Sequence, residues 1–163
     1  MLFLCTGNAA RSVMAGVILT DRAPQIPVET AGTLAIDGLP PSFRTRTALD
    51  SIGLVLGAHR SRQATAAHLD GASLIVGLAP EHVAWVRREH RRDAPRTATL
   101  KRLVRDLPLD GPLDERVASL ALADVSLGDW EEVRDPGGGD VAEFTACAHE
   151  IAGLVDALVA RLG

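Results

Sequence analysis

At 163 residues, 47% of them hydrophobic and 23% charged, the chain is long enough for one domain around one core and too apolar to be disordered. A formal net charge of −4 argues against nucleic acid as a partner. No stretch reaches the ~18 consecutive apolar residues that a membrane helix needs, so no membrane partner is expected. The basic run Arg87, Arg88, Glu89, His90, Arg91, Arg92 reads as a solvated helix end, with an acidic-partner patch as its alternative.

The first strand is expected at Met1–Cys5, which leaves no room for a leader and suggests a cytoplasmic location. Its apolar residues do not alternate with polar ones, as expected when helices cover both faces. A turn at Thr6–Ala10 precedes a helix over 11–21, with Val13, Val17 and Ile18 at helical spacing. A second strand follows at 26–31, a Pro-rich loop at 38–42 and a short helix at 44–52. The segment 54–56 is expected to be extended, and 62–68 to be a short helix. The apolar run 72–77 reads as a strand, and Pro80 opens a helix reaching about Arg91. A fourth strand is expected at 99–104 and a helix at 113–127. Asp135-Pro136-Gly137-Gly138-Gly139 is the most flexible stretch, with Trp130 expected to fix it from upstream. Asp140 and Glu143 have capping-box spacing for a last helix that runs to about Leu162. Strands alternating with helices predict an α/β fold: a three-layer arrangement with a parallel sheet flanked by helices. The C-terminal strand edge is where ligands bind in such sheets.

Cys5 sits at that edge. The loop Thr6, Gly7, Asn8, Ala9, Ala10 can wrap backbone N–H groups around a tetrahedral oxyanion, and the following helix points more of them at the same spot. Gly7 is expected to take a conformation closed to other residues. Arg11 offers a planar fork for two oxygens, and together with the helix end it favours the Cys5 thiolate. Ser12 can donate to that thiolate, and Asn8 can tie the loop to neighbouring backbone. Against this stands a buried cysteine at a strand end with an unrelated arginine. Cleavage of a phosphate ester by a thiolate also needs an acid for the leaving oxygen and a base for water. Asp135 is the first choice, and Asp140 is better placed as a cap. His59 has no evident role by chemistry alone. His68, His82, His90 and His149 show no ligand spacing, so no metal and no other cofactor is expected. Cys147, between Ala146 and Ala148, reads as a packed, inert thiol.

The segment Phe3-Leu4-Cys5-Thr6-Gly7-Asn8-Ala9-Ala10-Arg11-Ser12 resembles the signature of the low-molecular-weight protein-tyrosine phosphatases. That family also includes arginine-phosphate phosphatases and thiol-dependent arsenate reductases. Thr30-Ala31-Gly32-Thr33, His59-Arg60-Ser61-Arg62-Gln63 and Asp135-Pro136 resemble its further motifs, in the family's order across residues 1–163 as one domain. The resemblance implies a central four-stranded parallel sheet with a phosphate-binding loop after the first strand. It also implies attack on phosphorus by Cys5, oxygen binding by Arg11 and the loop amides, Asp135 as acid and then base, and His59 in support of Asn8. Partners implied are a phosphorylated protein, with phosphotyrosine first, or a small phosphate ester, acted on by a monomer or weak homodimer. Three departures stand out. The family's frequent second Cys beside the signature Arg is Ala10. The Tyr residues common after Asp-Pro are Gly137 and Gly138, in a chain with no Tyr at all. The Met-(Thr or Asp) after the third strand is Leu78-Ala79. An arsenate reductase using an external low-molecular-weight thiol, and a non-catalytic oxyanion- or phosphoprotein-binding module, remain as alternatives.

Overall fold

The computed structural model describes residues 1–163. Four parallel strands, β1 (Leu2–Cys5), β2 (Glu29–Gly32), β3 (Ile75–Gly77) and β4 (Thr97–Thr99), lie in the order β2-β1-β3-β4. The register pairs Cys5 with Gly32, and Leu4 with both Ala31 and Gly77. The chain leaves β1 for one side and returns on the other, which opens a crevice at the C-terminal end of β1.

Seven helices cover the sheet: α1 (Arg11–Arg22), α2 (Phe43–Asp50), α3 (Ala66–Asp70), α4 (Pro80–Glu89), α5 (Leu100–Asp106), α6 (Leu113–Ala118) and α7 (Val141–Leu162). Side chains alternate across β1 as its pleat demands. Phe3 and Cys5 join the larger core, with Met14 and Ile18 of α1, Leu49 of α2, Leu103 of α5, and Ile151 and Val155 of α7. Leu2 and Leu4 face the smaller core with Leu69 of α3 and Val86 of α4. Every residue of β1 is buried, which is why its sequence lacks polar alternation. Asp140 and Glu143 form the expected reciprocal cap, each side chain accepting from the other's backbone N–H at 3.0 Å.

Several boundaries differ from those expected. The segment 99–104 is mostly helix, and the fourth strand ends at Thr99, whose hydroxyl caps α5 by accepting from the Arg102 N–H at 3.1 Å. Leu100, Leu103 and Leu107 recur at helical rather than strand spacing and are all buried. The helix expected over 113–127 stops at Ala118, followed by turns in which Ala121 adopts φ 49°. Residues 54–56 pair with no strand, and Leu54 N–H instead closes α2 on Leu49 O. The helix expected at 62–68 starts at Ala66, where Thr65 and His68 form a capping box. Trp130 does not fix Asp135: its ring lies under the guanidinium groups of Arg102 and Arg105. No helix is long and apolar enough to cross a membrane.

Candidate active site

Cys5 is the last residue of β1 and Arg11 the first of α1, so the loop between them bridges the sheet edge and a helix N-terminus. None of the amide N–H groups of Thr6, Gly7, Asn8, Ala9 and Ala10 donates to a protein acceptor. They form a ring of unspent donors beside the first turn of α1, the arrangement that attracts an oxyanion. The left-handed residue of the loop is Asn8, at φ 51°, and not Gly7 as expected. Asparagine tolerates this region when its side chain finds local partners. Here Asn8 is fully buried: its Nδ2 donates to Ser12 Oγ and Thr30 Oγ1, and its Oδ1 accepts from Arg62 N–H, all at 3.0 Å. A side chain on Gly7 would meet no protein atom, so its small size keeps the cleft side open. The sterically required glycine is Gly32, where a Cβ would lie 2.5 Å from Thr6 O and 3.1 Å from Asn8 N.

Ser12 Oγ lies 3.0 Å from Cys5 Sγ. Because Asn8 already donates to that oxygen, the Ser12 O–H is free to point at the sulfur. Arg11 is buried, donating Nη1 to Val133 O at 3.1 Å and Nη2 to Asp135 Oδ2 at 2.7 Å. Asp135 also caps its own turn, accepting from Gly137 N–H at 2.9 Å. Cys5, Arg11 and Asp135 thus line one cleft of about 320 Å³, whose remaining walls include Arg44 and Phe144. These are the three residues that the sequence singled out, and the fold places them together. Asp140 stays on the helix cap.

His59, which the resemblance set in support of Asn8, has Nε2 2.9 Å from Asn8 O. Other supports were not legible. Thr45 Oγ1 donates to Ala9 O at 2.9 Å. His82, fully buried in the first turn of α4, has Nε2 3.2 Å from Thr6 Oγ1, and Thr6 Oγ1 donates to Glu81 Oε1 at 3.3 Å. Protonation of His82 on Nε2 satisfies this chain of donors, because its buried Nδ1 has no partner. Burial, and then the charge of Arg11, pushes the His82 pKa down to about 3. His82 is therefore a neutral prop and not a cation of the site. Its one sequence signal was its place just beyond the C-terminal end of β3, on the same edge as Cys5. Cys147 is buried on α7, and burial pushes its thiol up to about 12.

The family model described as low molecular weight phosphotyrosine protein phosphatase matches residues 1–116. The chain belongs to this family. A protein-arginine-phosphatase of Geobacillus stearothermophilus is 28% identical over 99% of this chain and 95% of its own length. The low molecular weight protein-tyrosine-phosphatase Etp of Escherichia coli is 30% identical over 53% of this chain and 58% of its own. Among solved structures, the YwlE arginine phosphatase of G. stearothermophilus aligns with TM-score 0.78 at 29% identity, over 99% of this chain and 90% of that one. The low molecular weight protein tyrosine phosphatase of T. tengcongensis aligns with TM-score 0.77 at 26% identity, over 97% of this chain and 95% of that one. The protein is a cysteine-dependent phosphatase. As a member of this family it acts on phosphorylated protein or small phosphate esters.

Proposed function

We propose that this phosphatase hydrolyses phosphomonoesters, protein phosphotyrosine first among them, through a phosphoryl-Cys5 intermediate. The observation that carries this reading is the meeting in one cleft of Cys5, bonded to Ser12, and the Arg11–Asp135 pair, beside five unspent loop amides. The substrate phosphoryl oxygens take the loop N–H groups and Arg11. The thiolate of Cys5, steadied by the Ser12 hydroxyl, attacks phosphorus. The S–P bond forms as the bond to the leaving oxygen breaks, and that oxygen takes the proton of Asp135. Asp135, now a carboxylate, removes a proton from water, whose oxygen attacks phosphorus. The S–P bond breaks, releasing inorganic phosphate and the thiolate, and Asp135 is again protonated.

The Arg11–Asp135 contact gives this cycle a trigger. A bound phosphate competes for the Nη2 that Asp135 holds. Its arrival frees the carboxyl to turn toward the leaving oxygen.

Phosphoarginine is a second reading, supported by the likeness along nearly the whole chain to a protein-arginine-phosphatase and by Gly137 in the cleft wall. Release of phosphate from matched phosphotyrosyl and phosphoarginyl peptides, by wild type and Cys5→Ser, separates the two. The expected result is Cys5-dependent release that is faster from phosphotyrosine. Faster release from phosphoarginine would make the second reading the correct one, and release undiminished in Cys5→Ser would end both.

A further inference from the structure

Arg44, on α2 at the lip of the catalytic cleft, has no carboxylate within ion-pair distance. Its guanidinium carbon lies 5.7 Å from the ring centroids of both Phe43 and Phe144, and its Nη1 donates to Gly139 O at 2.6 Å. Nε and Nη2 donate to no protein group. The contrast with Arg11, in the same cleft, is direct: Arg11 is occupied by Asp135 and Val133, whereas Arg44 is held in place but keeps its charge and two donor positions unspent. The nearby acids are engaged elsewhere. Asp135 binds Arg11 and Gly137 N–H, while Glu143 binds Arg134 and Asp140 N–H.

We infer that Arg44 reads a carboxylate on the substrate's leaving group, so that the enzyme favours phosphomonoesters with an acidic group beside the scissile ester. This rests on the phosphomonoester reading of the same cleft. Two aromatic contacts and one backbone bond limit the positions open to the guanidinium, so little freedom is lost on pairing. The buried ring of Phe144 keeps water from one side of it, which strengthens a charge-assisted hydrogen bond. The carboxylate would belong either to an acidic residue flanking a phosphorylated side chain or to a small carboxylated ester.

The test is binding of phenylphosphonate against meta- and para-carboxyphenylphosphonate, measured by calorimetry. These probes are not hydrolysed, so the result does not depend on turnover. Wild type is expected to bind the better carboxylated isomer about tenfold more tightly at low salt. High salt should shrink that ratio, R44K should keep about a third of it, and R44Q should bring it to about one. Equal affinity of wild type for all three probes would overturn the inference. So would an equal loss for every probe in R44Q, which would make Arg44 a clasp on Gly139 only. The salt response of wild type keeps the test valid if R44Q fails to fold. A second arm compares kcat/KM on phosphotyrosyl peptides with Asp or Asn beside the phosphorylated residue. A preference for Asp supports the inference with a peptide source, and a preference confined to the small probes supports it with a small ester. If no phosphate ester is turned over while the binding ratio holds, it is the hydrolysis reading that fails and not the role of Arg44.

Discussion

The molecule contains two buried arginines that each bind a carboxylate, and they differ in everything that surrounds the pair. Arg102 meets Glu131 through two donors, at 2.9 and 2.5 Å, with the carboxylate side chain 0% exposed. Thr99 Oγ1 and Gly128 N–H also donate to Glu131, at 2.7 and 2.9 Å. Burial pushes the Glu131 carboxyl up, but these hydrogen bonds outweigh it and hold the group below its ordinary value of 4.5. Arg11 meets Asp135 through one donor, and the Asp135 side chain is 50% exposed. The first pair is saturated and sealed, so it ties the short 3-10 turn 129–131 to α5 and β4 and has nothing left to offer a ligand. The second is a single exposed contact that an incoming anion can replace. Residue types do not separate the structural pair from the reactive one. Saturation and access do.

Breaking the sealed pair should have the largest effect on stability. Glu131→Ala leaves Arg102 buried without its partner and should cost about 3–5 kcal/mol, read as a shift of the urea midpoint at unchanged slope. Asp135→Asn should do the reverse. Its stability should change by less than about 1 kcal/mol, while kcat on an unactivated ester falls about 10²-fold or more. An aryl phosphate with a good leaving group should lose less, because it needs the acid less. If Asp135→Asn unfolds the protein, the distinction between the two pairs collapses.

Acid should act on the fold through two fully buried groups, with Asp106 at the surface adding a lesser share. The ordinary His pKa of 6.5 falls to about 3 at His82 on folding, so the unfolded chain takes up a proton that the folded chain refuses. The stability this gives is full above about pH 6.5 and is lost progressively as pH falls toward 3. Glu131, held below its ordinary value, adds a contribution present above that value and lost at lower pH. Denaturation midpoints of His82→Asn should therefore fall less steeply than wild type between neutral and mildly acid pH. The smallest change sharpens the account of the loop. Thr45→Val removes the hydroxyl donor to Ala9 O in a buried position and should cost about 1 kcal/mol, with a modest rise in KM.

The parts of the site legible in the sequence were those contiguous along the chain or fixed by strand topology. Cys5, the loop and Arg11 follow one another, and the end of β1 had to lie at the ligand edge. Asp135 was reachable because Asp-Pro before three glycines stands out in composition and resemblance. The long-range props were not legible. Thr45 and Arg44 lie in ordinary helix turns, and nothing in their neighbours says that they face the loop rather than solvent; His82 had only its place beyond β3 to mark it. The strand expected at 99–104 failed for a related reason. Leu100, Leu103 and Val104 stand at helical spacing, but three positions make a short window, and the Thr99 cap with the Arg102–Glu131 pair joins residues far apart in sequence to fix the helix. Asn8 in place of Gly7 as the left-handed residue depended on partners from Thr30 and Arg62, far away in sequence.

The most direct test is mass spectrometry of acid-quenched enzyme during turnover of an aryl phosphate. The account predicts one phosphoryl group on Cys5 and none in Cys5→Ala, with a burst of the alcohol product whenever breakdown of the S–P bond is slower than its formation. Turnover by folded, reduced enzyme in which Cys5 never carries phosphate, or turnover that persists in Cys5→Ala, would contradict it.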